Sequence, residues 1–379
     1  MIAGTSQSAA GVSATDAVVG RATRVTIDLG ALRHNLSIAR ITAPRAKVMA
    51  AIKANGYGHG LERVATALQG ADALGVACIN EALALRTAGI EAPITLLEGF
   101  FRADEIPLLR AYRFEAVLHE ASQVDALERS HFPGPVRVWI KVDTGMHRLG
   151  FAPGATRGTW RRLNALEGVE VVGFMTHLAC ADDRSHPATL RQLALFEESV
   201  EGLPGERAIA NSAGVLGWPE THAEWIRPGV MLYGISPFLE GRGPETKLRP
   251  AMTLHSELIA VNHISKGEFV GYGGTWRAPE ALPVGVVAIG YGDGYPRHAP
   301  SGTPVLVNGK QVPLIGRVSM DMITVDLRGQ PQARVGDPVV LWGEGLPAEV
   351  IAERAGTIAY ELLCGVTQRV RCEEVGADG

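Results

Sequence analysis

The chain has 379 residues, more than one hydrophobic core usually serves, so we expect two domains. Apolar residues make up 46% of it and charged residues 20%, as in an ordinary globular protein. A net charge of −4 argues against nucleic acid or an anionic membrane surface as partner, because both attract basic proteins. Any site for a phosphate group must therefore be local.

The first residues and the cysteines suggest a cytoplasmic protein without a bound metal. Residues 1–22 lack the basic start and long apolar stretch of a secretory signal, so we expect a flexible tail. No apolar run reaches the length of a membrane span. The four cysteines, Cys78, Cys180, Cys364 and Cys372, form no CxxC pair, which argues against a metal site or disulfide framework and fits a reducing compartment.

Short apolar runs alternate with amphipathic segments from about residue 24 to residue 235. The runs resemble buried parallel strands, and they are Lys47–Ile52, Ala73–Cys78, Ile94–Leu97, Ala116–Leu118, Val136–Val142, Val169–Met175, Arg207–Ala210 and Trp225–Leu232. The segments with helical spacing are Leu29–Arg40, Leu61–Leu68, Glu81–Ala88, Ala103–Arg110, Ser122–Arg129, Thr156–Leu166 and Ala188–Val200. Repeated about eight times, this α/β pattern predicts a (β/α)8 TIM-type barrel over residues 23–245, with a doubly wound open sheet as the alternative.

The pattern changes at about residues 240–250, where Gly241, Gly243 and Pro244 interrupt it. The predicted strands beyond that point are Thr253–Val261, Gly285–Ile289, Pro304–Val307, Gln311–Ile315, Met322–Leu327 and Pro338–Trp342, with one helix at Ala348–Ala355. Asn308-Gly309 between two of the strands indicates a hairpin. We therefore expect a mostly β C-terminal domain over residues 246–379.

Lys53 follows the first predicted strand, and barrel active sites lie at the carboxyl ends of strands. A lysine in a barrel mouth can lose its charge and bind a carbonyl compound covalently. For a lone lysine, a surface position that closes the strand would be the simpler interpretation. Here Gly56, Gly58 and Gly60 follow it and let the backbone approach a ligand closely, which favours a functional role.

Other strand ends carry polar groups that each have two interpretations. Arg148 suits bidentate binding of a carboxylate or forms a surface ion pair. His177 lies just past a strand, where a structural histidine is commoner than a catalytic one. Ser212 stands at a predicted helix start, as an N-cap or as one wall of a phosphate site. Arg227 and Gly229 lie in a late loop, where barrels often bind phosphate.

The C-terminal half contains three glycine-rich segments, Val270-Gly-Tyr-Gly-Gly-Thr-Trp, Tyr291-Gly-Asp-Gly-Tyr-Pro-Arg and Gly316-Arg-Val-Ser-Met-Asp-Met. Composition alone allows them to be ordinary β-turns. Their glycines would also leave the flanking tyrosines open to close approach by another backbone.

In combination, these motifs resemble those of the alanine racemase family from about Arg24 to Arg371. Ala-Ile-Lys-Ala-Asn-Gly-Tyr-Gly-His-Gly around Lys53 resembles the family's cofactor-lysine signature. Lys-Val-Asp-Thr-Gly-Met-His-Arg-Leu-Gly, Asn-Ser-Ala, Arg-Pro-Gly, Gly-Tyr-Gly, Tyr-Gly-Asp-Gly-Tyr-Pro-Arg, Gly-Arg-Val-Ser-Met-Asp and Tyr-Glu-Leu-Leu follow in family order. One departure is His147, where glycine is more usual.

The resemblance implies a pyridoxal 5'-phosphate (PLP) enzyme that interconverts L-alanine and D-alanine, for peptidoglycan synthesis or for alanine catabolism. It implies a homodimer with two active sites, each built from the barrel of one subunit and the C-terminal domain of the other.

The resemblance also implies roles for individual residues. Lys53 would carry PLP, Tyr272 of the partner subunit would be the second base, and Arg227 would face the pyridine nitrogen. The other implied residues hold the phosphate (Tyr57, Ser212, Gly229, Val230 and Tyr360), pack near the ring (His177), contact the cofactor and the substrate carboxylate (Arg148), offer a backbone N–H to that carboxylate (Met320) or line the entry channel (Tyr291, Arg297 and Arg317). Lys141 matches a lysine that is carbamylated in some members.

Racemisation requires a proton to leave one face of the α-carbon and another to arrive on the opposite face. A single base would tend to return the proton to the face from which it came, so two bases are expected, Lys53 and Tyr272. Because an arginine does not give up its proton at ordinary pH, Arg227 would make PLP a weaker electron acceptor, and we expect this to restrain transamination.

Four alternatives remain at this stage. A barrel-type PLP decarboxylase usually has a carboxylate at the pyridine nitrogen, so Arg227 and Tyr272 argue against it. A non-catalytic PLP carrier would be a single barrel and would lack the β-rich domain. A plain barrel with Lys53 on its surface does not account for the ordered motifs. A racemase of another small amino acid is also consistent with the sequence.

Overall fold

The computed structural model describes residues 21–130 and 134–377. The predicted flexible tail, residues 1–22, lies almost entirely outside these ranges. Within the described ranges no helix is both long and apolar enough to cross a membrane.

Eight parallel strands close into a barrel, so the predicted (β/α)8 fold is confirmed and the open sheet is wrong. The strands are β2 Lys47–Ala51, β3 Ala73–Val76, β4 Ile94–Leu96, β5 Phe114–Leu118, β6 Val136–Lys141, β7 Val169–Met175, β8 Glu206–Ala208 and β9 Trp225–Ile226, with β1 defined below. Neighbours pair in chain order, and β2 pairs with β9 to close the ring. The barrel helices are Leu29–Thr42, Leu61–Ala67, Ile79–Thr87, Ile106–Ala111, Ala121–Arg129, Thr156–Asn164, Ala188–Val200 and Ser212–Gly217.

One predicted strand, Trp225–Leu232, is wrong over its second half. The strand ends at Ile226, and Val230–Tyr233 forms a short 3-10 helix. Pro228 and Gly229 lie between them, and proline supplies no backbone N–H for a strand ladder. The break places Gly229 at the rim of the barrel and not inside its wall.

The amino end of the barrel is filled by large side chains. Trp139 and Trp225 meet edge to face inside the ring, with centroids 6.2 Å apart. The Trp139 indole donates to the carboxylate of the buried Glu115 at 2.7 Å, and Thr95 donates to the same carboxylate at 3.1 Å. These contacts fill the interior of the barrel, and active sites of such barrels lie at the carboxyl ends of the strands.

The second domain is a mostly antiparallel sheet, as the sequence predicted. The strands outside the barrel are β1 Arg24–Asp28, β10 Met252–Ile264, β11 Phe269–Val270, β12 Trp276–Arg277, β13 Leu282–Val287, β14 Pro304–Val307, β15 Lys310–Ile315, β16 Ile323–Asp326, β17 Pro338–Trp342 and β18 Arg371–Val375. Its helices are Ala348–Ala355 and Ala359–Cys364. The eight-stranded sheet has the order β13-β16-β15-β14-β17-β10-β1-β18, and β11 and β12 form a separate pair.

Strand β1 joins the two halves of the molecule. It pairs with β10 and β18 of the second sheet, although it precedes the barrel in the chain. Asp28, its last residue, caps the first barrel helix by accepting from the Ala31 N–H at 2.9 Å. The predicted division of the chain near residue 245 stays a prediction, since the sheet takes strands from both sides of it.

Gly173 offers a test of how tightly the barrel closes. A Cβ at this position in β7 would lie 1.9 Å from the carbonyl oxygen of Glu206 in β8. Gly173→Ala should therefore lower the free energy of unfolding by about 1–3 kcal/mol, measured by urea denaturation. Gly158→Ala is the matched control, because a Cβ there meets no atom within 4 Å and alanine favours the helix. An unchanged midpoint for Gly173→Ala would contradict the described strand contact.

Candidate active site

A cavity of about 1300 Å³ opens at the carboxyl ends of the barrel strands. Its wall contains ten of the site residues singled out from the sequence, namely Lys53, Tyr57, Lys141, Arg148, His177, Ser212, Arg227, Gly229, Val230 and Tyr360. These residues come from well-separated parts of the chain, and closure of the barrel brings their strand ends together. The candidate site is therefore one continuous cavity in the barrel mouth.

Lys53 enters this cavity from a turn of unusual backbone conformation. Its Nζ lies 3.9 Å from the Glu98 carboxylate, which also lines the cavity. The next residues, Ala54, Asn55, Gly56 and Tyr57, all have positive φ, between 51° and 61°. A left-handed conformation costs an ordinary L-residue roughly 1–2 kcal/mol, so the surrounding contacts must hold this turn in place.

Arg227 is a buried guanidinium in the cavity wall. Its Nη2 donates to the backbone carbonyl oxygens of Thr176 and Ile209. Its Nη1 is buried and has no hydrogen-bond partner within the described part of the chain. Burial lowers the pKa of Arg227 to about 10, which leaves the group charged at neutral pH. An unpaired buried donor is costly, so this wall is built for an acceptor that a ligand would supply.

The charge of Arg227 acts on its neighbours. Burial, followed by the charges of Arg227, Lys141, Arg148 and Lys53, lowers the pKa of His177 far below its usual value, so its ring is neutral. Burial, followed by the charges of Arg227, Arg148 and Lys53, lowers the pKa of Lys141 to about 7, while Glu98 opposes that shift. The mouth of an otherwise acidic protein is thus a local cationic site, suited to an anion.

Ser212 and Gly229 form a small polar corner of the cavity. The Ser212 hydroxyl accepts from the backbone N–H groups of Gly229 at 2.8 Å and Met231 at 3.3 Å. The N-cap interpretation of Ser212 is wrong, because Asn211 caps this helix by accepting from the Gly214 N–H at 3.0 Å. Ser212 therefore does not cap the helix, and it lies in the cavity wall.

Tyrosines close the same corner. Tyr57 stacks on Tyr233 with centroids 4.6 Å apart and lies 6.2 Å from Tyr360. A Cβ at Gly229 would lie 2.7 Å from the Tyr57 hydroxyl oxygen, so a side chain there would displace the tyrosine. Burial raises the pKa of Tyr57 and raises that of Tyr360 to about 12, so both hydroxyls remain protonated donors. Backbone N–H groups and phenols together suit a phosphate group.

Tyr272 and Met320 do not line this cavity. Both side chains are exposed, at 67% and 52% respectively. Tyr272 lies in a short 3-10 turn of the second domain, followed by Gly273 and Gly274 with positive φ. Of the residues assigned to the entry channel, Tyr291 is also exposed. One chain by itself therefore does not bring the two predicted bases together.

The structure explains why glycine would suit position 147. His147 has a φ of 55°, in the region that glycine adopts readily. The Asp143 carboxylate holds it there, accepting from the His147 backbone N–H at 3.0 Å and lying 3.1 Å from its Nδ1. Local contacts thus replace the freedom of glycine just before Arg148.

Three residues of the site were not predicted from the sequence. Glu98 follows β4 as Lys53 follows β2, and its place at a strand end could have revealed it. Tyr233 directly follows the predicted strand Trp225–Leu232, and that prediction gave no sign of its stacking on Tyr57. Glu81 lies in a helix and contacts the turn after Lys53, a contact between separate segments that no local pattern predicts.

Fold and cavity define a (β/α)8 barrel protein with an additional β-rich sheet and a cationic cavity at the carboxyl ends of the barrel strands. The chain matches the family models "Alanine racemase, N-terminal domain" over residues 27–237 and "Alanine racemase, C-terminal domain" over residues 251–373. The chain belongs to the alanine racemase family.

Individual relatives agree with the family models. The chain is 54% identical over 362 residues to an alanine racemase of Halorhodospira halophila, covering 95% of this chain and all of the relative. Among solved structures, it resembles the biosynthetic alanine racemase of Pseudomonas aeruginosa, with a TM-score of 0.91 and 46% identity over 93% of this chain and 99% of that one. It also resembles the alanine racemase of Acinetobacter baumannii, with a TM-score of 0.89 and 40% identity over 94% of this chain and all of that one.

Lys141 provides a test of the cationic mouth in the cofactor-free protein. Because its pKa is lowered to about 7, its amine should react with an acylating reagent above pH 7 and lose that reactivity as the pH falls below 7. Peptide mass spectrometry would follow the rate of modification from pH 5 to 10, with the exposed Lys266 as reference. If the modification rate of Lys141 rose with an inflection near the pKa of an ordinary lysine, about 10.4, the described electrostatics would be contradicted.

Proposed function

We propose that this protein interconverts L-alanine and D-alanine with PLP attached to Lys53. The observation that carries the proposal is the arrangement of the cavity. It joins a lysine, a polar corner suited to phosphate and a buried arginine donor that has no partner among the described residues. These three features match the aldehyde, the phosphate and the pyridine nitrogen of PLP. Family membership supports the same reaction, since the relatives described above are named alanine racemases.

Each part of PLP would contact its own set of residues in the cavity. Ser212, Gly229, Val230, Tyr57 and Tyr360 would hold the phosphate. Arg227 Nη1 would donate to the ring nitrogen, and the neutral His177 would pack near the ring. Arg148 would bind the carboxylate of the substrate. Bound PLP supplies an electron-accepting ring, which lowers the cost of removing the α-proton of an amino acid.

Two groups of the protein would move the proton. The amine of Lys53, once released to the substrate side of the cavity, would remove or deliver it on one face. Tyr272 of the partner subunit would act on the opposite face, with Met320 of the partner subunit offering its backbone N–H to the substrate carboxylate. The exposure of both side chains in a single chain supports this assignment, because an exposed tyrosine between glycines is available to a second copy.

We further infer a homodimer with shared sites and a cytoplasmic location. The dimer would cover the exposed Tyr272, Met320 and Tyr291 with the barrel mouth of the other subunit. All four cysteines are free thiols, which supports a reducing compartment.

The proposal is tested by isotope incorporation. L-alanine incubated with the PLP-loaded protein in deuterated water should become D-alanine that carries deuterium at the α-carbon, measured by chiral chromatography and mass spectrometry. Lys53→Ala should lose this activity and the covalent PLP, because the substitution removes the amine to which PLP would attach. Lys266→Ala, at an exposed position, is the control and should behave as wild type. Faster conversion of L-serine than of L-alanine would indicate a racemase of another small amino acid. Release of CO2 would indicate a decarboxylase.

A further inference from the structure

The side chain of Lys53 is directed by the left-handed turn that follows it. Three backbone hydrogen bonds run along this turn, from the Gly56 N–H to the Ile52 carbonyl oxygen at 2.8 Å, from Gly58 to Ala54 at 3.0 Å and from Gly60 to Asn55 at 2.9 Å. The turn carries Lys53 at its start and Tyr57 at its end. Its geometry therefore sets the positions of two cavity residues together.

The far end of the turn has several supports. Buried His59 places its Nδ1 2.9 Å from the Tyr57 carbonyl oxygen and 3.1 Å from that of Gly56. A Cβ at Gly58 would lie 2.2 Å from the Leu363 carbonyl oxygen, so the backbone is pressed against the second domain there. These contacts fix the part of the turn that carries Tyr57, but they do not reach the residue next to Lys53.

Glu81 supports the end of the turn next to Lys53. Its Oε1 accepts from the Ala54 N–H at 2.7 Å, the first peptide group after Lys53. Its Oε2 accepts from the Ala77 N–H at 2.8 Å, just beyond strand β3. The carboxylate thus ties the start of the turn to the rim of the neighbouring barrel strand. Charge-assisted hydrogen bonds of this kind are the stronger ones, and both oxygens of the group are engaged.

We propose that Glu81 is a positioning residue for Lys53: by binding Ala54 and Ala77 with its two carboxylate oxygens, it keeps the left-handed turn in register and the amine directed into the cavity. Glu81 does not line the cavity, so it acts on Lys53 through the backbone. The inference rests on the proposed function only in taking Lys53 as the residue to which PLP attaches.

Glu81→Gln tests it, because an amide has a single acceptor oxygen and must leave one of the two N–H groups unpaired. The cofactor-free protein would be mixed with PLP, the adduct fixed with borohydride and the modified peptide at Lys53 quantified over time. We expect the attachment rate to fall by about 10- to 100-fold, the loss typical of a misplacement near 1 Å. In the loaded enzyme kcat should fall, while KM for alanine stays within about twofold, since Arg148 is untouched.

Glu62→Gln is the matched control. Glu62 is an exposed carboxylate in the first turn of the adjacent helix, and its removal should leave the attachment rate unchanged. If Glu81→Gln attaches PLP at the wild-type rate, the positioning role is wrong. If wild type itself forms no adduct at Lys53, the proposed function fails instead, so the two failures are distinguishable.

A second variant keeps the test decisive if Glu81→Gln melts at a much lower temperature. Ala54→Gly, added to Glu81→Gln, removes the penalty of the left-handed conformation at that residue, which has a φ of 54°. The double variant should regain thermal stability and at least part of the attachment rate. A double variant that folds as wild type but shows no recovery at Lys53 would overturn the proposal, since the turn would then not be the route by which Glu81 acts.

Discussion

A buried guanidinium is the constraint around which the barrel mouth is arranged. Arg227 keeps its charge because arginine cannot shed its proton at neutral pH, and burial removes the water that would otherwise solvate it. Its Nη2 donates to two backbone carbonyl oxygens, and its buried Nη1 has no hydrogen-bond partner in the described chain. Burial, together with this fixed charge, lowers the pKa of His177 and of Lys141. A phosphorylated, electron-accepting ligand would fit this site, since it supplies negative charge near the cations and an acceptor atom for the Nη1 donor of Arg227.

Racemisation also requires a second base, on the face of the ligand opposite Lys53. The barrel strand ends supply Lys53 and most of the binding residues of the cavity. The glycine-flanked Tyr272 projects from the second domain into solvent. A reaction that needs bases on two faces is therefore incomplete within one chain. This is the physical reason for expecting a dimer that shares its sites.

Much of this architecture could be predicted from the chain. The alternation of apolar runs and helical segments predicted the barrel because each strand and helix is encoded by nearby residues. Strand β1 was missed because its partners β10 and β18 lie more than 200 residues away, and its five residues carry little pattern of their own. Trp225–Leu232 was wrong because an apolar run does not reveal a change from strand to 3-10 helix. The contact of Glu81 with Ala54 joins separate segments and has no local signal, whereas Glu98, which contacts Lys53, could have been found from its place after a strand.

The claim that the site is built from two subunits can be tested most directly by mixing inactive variants. Lys53→Ala and Tyr272→Phe would be purified separately with different tags, then dissociated and reassociated at equal amounts. In a mixed dimer, one site combines an intact Lys53 with an intact Tyr272, so random pairing should restore about a quarter of wild-type racemisation. Activity that stays at the level of the separate variants, although the tags prove that mixed dimers have formed, would contradict the account.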